Sequence, residues 1–179
     1  MKEKILAETA QQAGFKTAFI PTKDIVVNYD FRKFCEDNLC GKYGANYSCP
    51  PDCGTPQEVH EKLLSKNTAM VLQKICHING YDDKETILKE KATINVLALD
   101  VMSKVKAAGY DCIPLGYGGC PVCNPCRRIS NEPCAFPDKK ISCLSAYCID
   151  VAQLAKRCNL EFEWSQEKLY LFGMILFDN

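Results

Sequence analysis

Apolar residues recur at the spacing of an α-helix in several stretches of the chain. The longest stretch begins at Asp82 or Asp83 and ends near Ala108, and Gly109 follows it in the position of a helix C-cap. Thr55 and Pro56 mark the start of a shorter helix, because threonine caps helices and proline is favoured at their first position. The pattern predicts helices over residues 3–13, 31–37, 56–65 and 82–108, and a last one from residue 145 onward.

Shorter apolar runs between these helices predict β-strands. Strands are predicted over residues 16–20, 25–27, 68–78, 112–115, 160–164 and 169–177, the last two joined as a hairpin around residues 165–168. The order of the elements predicts an α+β fold: a small mixed or antiparallel sheet with helices on one side and cysteine-rich loops at one end. The 179 residues are expected to form a single domain, with the loops at about residues 35–53 and 116–143.

Charge and hydropathy exclude several classes of protein. The 22 basic and 22 acidic residues balance, so nothing points to nucleic acid or to an anionic membrane surface. The longest apolar run, residues 169–177, is far shorter than the roughly 20 residues that span a bilayer. The first 15 residues lack the apolar core of a signal peptide. We therefore expect a cytoplasmic protein, in which the thirteen cysteines are metal ligands or redox groups before they are disulfides.

One group of cysteines follows a glycine turn at residues 116–119. Its first three members are separated by two residues each, and seven residues lie between the third and the fourth. The members are Cys120, Cys123, Cys126 and Cys134. The first three match the opening of the bacterial ferredoxin pattern, although the fourth spacing in that pattern is three. Zinc sites usually pair two C-x2-C units across a longer gap, whereas three ligands at this spacing suit a cubane cluster. The neighbouring Arg127 and Arg128 are interpreted as modulators of such a cluster, a docking patch, or plain surface charge.

A second group lies earlier, in a loop rich in glycine, asparagine and proline. Its members are Cys35, Cys40, Cys49 and Cys53. Their spacing matches no standard zinc module, yet four cysteines in one short stretch can converge on a second cluster. Cys53 is the weakest of these candidates, and an exchange in which Cys134 serves this group and Cys53 the other stays open. Asn46 and Tyr47 are interpreted as turn residues, with hydrogen bonding to sulfur as the alternative.

The remaining cysteines and both histidines are weaker candidates. Three cysteines fall on apolar faces and are predicted to be buried small hydrophobic residues: Cys76, Cys112 and Cys158. Cys143 and Cys148 flank the predicted start of the last helix, where a helix N-terminus would favour thiolate. These two are reserve ligands if one group lacks a fourth. His60 and His77 have no partner at ligand spacing and are interpreted as surface or core residues.

Together these residues resemble a cysteine-rich family known as predicted metal-binding proteins, a domain of unknown function found in anaerobic bacteria and archaea. The resemblance extends from about residue 30 to the end and is carried by Cys35, Cys40, Tyr43–Pro51, the run Cys120–Cys126 with Cys134, and Ser145–Val151. The family motif has glycine where this chain has Cys148, and Cys53 and Cys143 look particular to this chain. The resemblance implies metal binding through the shared cysteines and supplies no reaction.

These observations favour an electron carrier or accessory protein over a stand-alone enzyme. No nucleotide-binding loop, zinc-protease helix or hydrolase elbow is present in the sequence. The leading hypothesis is an iron–sulfur protein with one or two [4Fe–4S] clusters that exchanges electrons with a redox partner protein. One alternative is a zinc-stabilised structural or interaction module. The other is an enzyme with a substrate-accessible cluster iron, held by three thiolates such as those of Cys35, Cys40 and Cys49.

Overall fold

A mixed five-stranded sheet forms the framework of the protein, as seen in a computed structural model that describes residues 2–178. Its strands are β1 (Lys16–Pro21), β2 (Thr68–His77), β3 (Cys112–Gly116), β4 (Ser142–Cys143) and β5 (Lys168–Phe177). They lie in the order β1-β2-β5-β3-β4. Strand β4 runs parallel to β3, and the other neighbours are antiparallel. The predicted α+β class with a small mixed sheet is confirmed.

Five α-helices accompany the sheet within the described residues. They are α1 (Lys2–Gln12), α2 (Arg32–Glu36), α3 (Pro56–Leu64), α4 (Lys84–Ala107) and α5 (Val151–Arg157). Thr55 and Glu58 form a reciprocal capping box at α3, and the Asp83 side chain accepts a hydrogen bond from the Thr86 backbone at the start of α4. The predicted starts of these two helices are therefore confirmed, together with their capping residues.

The two faces of the sheet bury separate cores. The long helices α1 and α4 cover one face, where Leu6, Val101 and Ile175 are almost fully buried. The other face is covered by α3, α5 and the cysteine-bearing segments, and Leu63 and Leu154 are fully buried there. The prediction of helices on one side of the sheet thus holds for α1 and α4. Short helices and cysteine-rich segments form a second layer on the opposite face. This second layer carries the candidate site.

Two predicted strands and one helix start differ from the structure. Residues 160–164 are irregular, and no hairpin joins them to β5, because β2 and β3 already pair with both edges of β5. Residues 25–27 contribute a single bridge, between Val27 and Ile149. The last helix begins at Val151, not at Ser145, because Cys148 has a left-handed φ of 56° that interrupts the helical path. Within residues 2–178 no helix is long and apolar enough to cross a membrane.

Candidate metal centre

Four thiols line one cavity of about 470 Å³ on the second face of the sheet. They belong to Cys35, Cys40, Cys49 and Cys143. Burial raises the pKa of Cys35 to about 11 and that of Cys49 to about 12, and for both the neighbouring Cys143 thiol adds the largest electrostatic contribution. Burial also raises the pKa of Cys143 itself, with Cys40 among the contributing charges. Cys53 also contributes to the shifts of Cys49 and Cys143, so it is the shared cavity lining that distinguishes these four thiols.

The sheet explains how Cys143 joins cysteines that lie about a hundred residues earlier. Strand β4 pairs in parallel with β3, and this register places Cys143 beside Gly116. A Cβ atom at Gly116 would lie 2.8 Å from Ile141 Cδ1 and 3.1 Å from Asn95 Oδ1, so a larger residue there would require neighbouring side chains to shift. Cys35 comes from α2 and Cys49 from the following loop, where Cys49 is 6% exposed. The first site is thus assembled from segments that only the tertiary fold brings together.

Cys53, the fourth predicted member of this group, lies elsewhere. Its sulfur accepts a hydrogen bond from Nη1 of Arg32 at 3.7 Å and packs against the apolar core, and Cys53 is not among the residues that line the cavity. Arg32 is only 8% exposed and also donates to the Ala146 carbonyl at 3.1 Å. The predicted ligand role of Cys53 stays a prediction, while the reserve candidate Cys143 occupies the position facing the other thiols.

Cys148 does not have the thiolate character that a helix start would favour. It is fully buried, and burial raises its pKa although Arg32 opposes the shift. Burial outweighs the effect predicted for Cys143 and Cys148, because it raises the pKa of both thiols although backbone hydrogen bonds from Ser145 and Ala146 favour the thiolate of Cys143. The backbone at Cys148 is left-handed, a conformation that glycine adopts at the lowest cost.

The second group of cysteines surrounds a much smaller cavity, of about 10 Å³. All four predicted members line it: Cys120, Cys123, Cys126 and Cys134. Each is half-buried, and the wall is completed by side chains that include Asn46, Phe136 and Lys140. A 3₁₀ turn over Arg127–Ser130 separates the third cysteine from the fourth and accounts for part of the longer spacing. The structure therefore brings together the whole group that the spacing predicted.

Hydrogen bonds hold the two cysteine loops against each other. The Asn46 amide donates to the Cys120 carbonyl at 3.1 Å and accepts from the Ser48 hydroxyl at 2.9 Å. The Cys120 backbone N–H in turn donates to the Ser48 hydroxyl at 2.9 Å. Gly119 lies against this network, since a Cβ atom there would be 3.3 Å from the Cys49 sulfur. Asn46 therefore connects the two sites, beyond the turn role predicted for it.

A second layer of contacts lies outside this network. The Tyr47 hydroxyl donates to the Glu132 carbonyl at 2.7 Å. Nε of Arg128 donates to both Asp52 carboxylate oxygens, at 3.0 and 2.8 Å. Arg128 thus matches none of the three interpretations given for the arginine pair, because its side chain links the two cysteine loops. Arg127 is exposed and lies 3.9 Å from Glu132.

The other cysteines and the histidines lie outside both cavities. Cys76 and Cys112 are each 5% exposed in the apolar core, which confirms their predicted role, and Cys158 is half-buried against the second core. His60 contacts the Tyr29 hydroxyl at 2.9 Å, and His77 is exposed at the end of β2. Among residues 2–178, no three cysteine, histidine or carboxylate side chains converge closely enough to hold a metal ion as they stand. The thiols of each set instead line a shared cavity.

Soft sulfur donors are what both cavities offer, which fits the ligand preference of iron–sulfur clusters and zinc. In a cubane, each thiolate binds a different iron, so a set of four thiols supplies the ligands that such a cluster requires. The raised thiol pKa values mean that a metal would have to displace protons on binding.

Comparison with known proteins agrees with this donor set. No curated protein and no solved structure matches the chain. A family model described as "Predicted metal-binding protein (DUF2284)" matches residues 18–177. This range includes every cysteine of both cavities and nearly all of the sheet. The chain therefore belongs to this family of predicted metal-binding proteins.

Proposed function

We propose that the protein is an iron–sulfur electron carrier that holds two [4Fe–4S] clusters and exchanges electrons with a partner protein. The observation that carries the proposal is the grouping of eight cysteines into two four-thiol cavities, one around Cys143 and one around Cys134. When bound, such clusters supply electron transfer at potentials set by charge, hydrogen bonding and solvent exposure. The family assignment supports metal binding at the coarser level.

For the first cavity, we assign Cys35, Cys40, Cys49 and Cys143 as the ligands. Three of these are half-buried or buried, whereas Cys40 is exposed and marks the side open to solvent. Lys91 lines the same cavity and interacts electrostatically with Cys40, so its ammonium partly offsets the negative charge that thiolates bring. The exposed side is where a redox partner protein would approach.

For the second cavity, we assign the ferredoxin-like run with Cys134 as its fourth ligand. Lys140 lines this cavity and provides positive charge beside the thiols. The Asn46 and Ser48 hydrogen bonds fix Cys120 relative to the loop that carries Cys49. Cys49 and Cys120 therefore lie in adjoining backbone segments, which supports a role in passing electrons between the two sites.

The deciding experiment is metal analysis of protein purified strictly without oxygen. The proposal expects about eight irons and about eight acid-labile sulfides per chain. It also expects visible absorption that bleaches with a low-potential reductant, and two interacting paramagnetic signals after reduction. About four irons would restrict the proposal to one site. Stoichiometric zinc without sulfide would refute it and leave a structural zinc module.

A further inference from the structure

Four lysine side chains gather around the 3₁₀ turn over Pro137–Lys139, which directly follows the second cysteine group. They come from α3, from α4 and from the turn itself: Lys62, Lys106, Lys139 and Lys140. Nζ of Lys106 donates to the Asp138 carbonyl at 3.0 Å, and Nζ of Lys139 lies 5.7 Å from the centre of the Phe136 ring. We call these four side chains the lysine patch, and the fold assembles it from segments that are distant in sequence.

The charge of the lysine patch is not neutralised by the rest of the chain. Within residues 2–178, none of the four lysines forms an ion pair with a carboxylate, and neither does Asp138 in the turn. Burial and the neighbouring charge of Lys140 both lower the pKa of Lys62, although Cys53 opposes the shift. The protein as a whole carries no net charge, so this patch is a local excess of positive charge.

The nearby arginines behave differently from the lysines. Arg128 lies 2.8 Å from the Asp52 carboxylate, and Arg127 lies 3.9 Å from that of Glu132. Both arginines therefore have an acidic partner within the chain. The lysines of the patch are the cations that remain available to a partner molecule.

The lysine patch adjoins the second set of thiols. Lys140 and Phe136 line the second cavity together with Cys126 and Cys134. Phe136 is also 46% exposed, so an aromatic ring reaches the surface between the cations and the cavity. Protein interfaces commonly combine an aromatic centre with a charged rim, and the rim charges set the rate and the specificity of association.

The position of the patch decides which class of anionic partner suits it. Nucleic acids and anionic membranes attract proteins through broad positive fields, which a chain with balanced charges lacks. A surface of four lysines beside a thiol set suits the acidic face of a small protein whose redox group must come close to that set.

We propose that the lysine patch docks an acidic redox protein beside the second cysteine group. The inference rests on the proposed function and deepens it, because it states the charge of the partner and gives the second site its own docking surface. Neither the four lysines nor Phe136 line the first cavity, so this surface is separate from the one at Cys40.

The test is calorimetric titration of the oxygen-free holoprotein with oxidised flavodoxin, an acidic electron carrier that contains no iron. Cytochrome c, a basic electron carrier, serves as the probe of opposite charge. We expect one flavodoxin per chain at low salt, an affinity that falls as salt is added, and no binding of cytochrome c.

Charge reversals locate the surface. Lys62→Glu and Lys139→Glu should each weaken flavodoxin binding about fivefold at low salt, and the difference from the wild type should disappear at high salt. Lys89→Glu is the matched control, since Lys89 is an exposed lysine on α4 that lies about 25 Å from Lys106 along the helix. It should bind flavodoxin as the wild type does.

Several results would overturn the proposal. These are the absence of flavodoxin binding at low salt, an equal loss of affinity in Lys89→Glu and in the two patch variants, and cytochrome c binding as tight as that of flavodoxin. Tighter binding to a short DNA duplex or to phosphatidylserine vesicles than to flavodoxin would overturn it as well, because the patch would then serve a different class of partner.

Iron and acid-labile sulfide are counted on the same samples before titration. Flavodoxin binding that depends on the patch in a protein with zinc and no sulfide would refute the clusters and keep the docking surface. About eight irons per chain without flavodoxin binding would refute the docking surface and keep the clusters.

Discussion

Exchanging a single sulfur for oxygen at Cys143 or at Cys53 tests the ligand assignment of the first cavity. The sequence groups Cys53 with Cys35, Cys40 and Cys49, whereas the structure places Cys143 at their cavity. The two substitutions, Cys143→Ser and Cys53→Ser, are chemically identical. They differ only in position, because one removes a thiol that lines the cavity and the other removes a thiol outside it.

The expected magnitude follows from the surroundings of each sulfur. Cys143 lines the cavity together with the other three thiols, so its loss should remove the first cluster and reduce iron from about eight to about four per chain. Cys53 instead accepts a hydrogen bond from Arg32 and packs in the core. Serine retains an acceptor for Arg32, so Cys53→Ser should keep about eight irons and cost roughly 1 kcal/mol of stability.

Three measurements on each variant separate ligand loss from misfolding. These are iron with acid-labile sulfide, the low-temperature paramagnetic signal after reduction, and far-ultraviolet circular dichroism to monitor the fold. Cys158→Ser serves as the control, because this half-buried cysteine lies outside both cavities. A Cys53→Ser protein that folds but loses four irons, beside a Cys143→Ser protein that keeps them, would show that the spacing identified the ligands correctly and that our assignment is wrong.

Three further changes test the surroundings of the sites. Asn46→Ala removes hydrogen bonds to Ser48 and Cys120 and should lower the free energy of unfolding by about 2–4 kcal/mol. Iron loss to a chelator should be faster, and the double variant with Ser48→Ala should show a less than additive effect. Arg128→Gln should lower the urea midpoint only slightly at high salt, because the pair with Asp52 is partly exposed; a large drop would mean that this link dominates the loop contact. Burial raises the pKa of Cys49 from its ordinary value of 9.0 to about 12, so the folded state holds this proton more tightly than the unfolded state does. The metal-free protein should therefore lose stability as the pH rises from 9 towards 12. Urea midpoints should fall across this range, and a Cys49→Ala variant should show a weaker dependence on pH.

Local patterns predicted much of the fold. The apolar stripe of α4 and the Thr55 cap each depend on residues within a single helix. The nearby sequence is therefore sufficient to predict them. The predicted strand over residues 68–78 matches β2 closely for a similar reason, because the alternation of apolar residues such as Met70 and Leu72 is a local signal. The members of the second cysteine group are close in sequence and line one cavity, and their role as ligands stays a prediction.

Features that depend on distant pairing were not predictable in this way. Residues 160–164 have the composition of a strand, but both edges of β5 are taken by β2 and β3. Phe162 instead packs its ring edge-on against Tyr170 of β5. Cys143 becomes a cavity residue through the parallel pairing of β4 with β3, which no spacing rule encodes. The sequence signal for Cys143 was its position just after the metal loop, which made it a reserve ligand.

The hydrogen bonds between the loops bear on whether the two sites act separately. If each loop folded around its own group alone, the contacts between them would be few and exposed. Instead Ser48 is fully buried and Asn46 is 3% exposed, and both bond to Cys120. Unmade hydrogen bonds at buried polar groups cost roughly 1–3 kcal/mol each, so disordering one loop would destabilise the other. Loss of either set of thiols should therefore weaken metal retention at the remaining site, which makes the two cavities one cooperative unit.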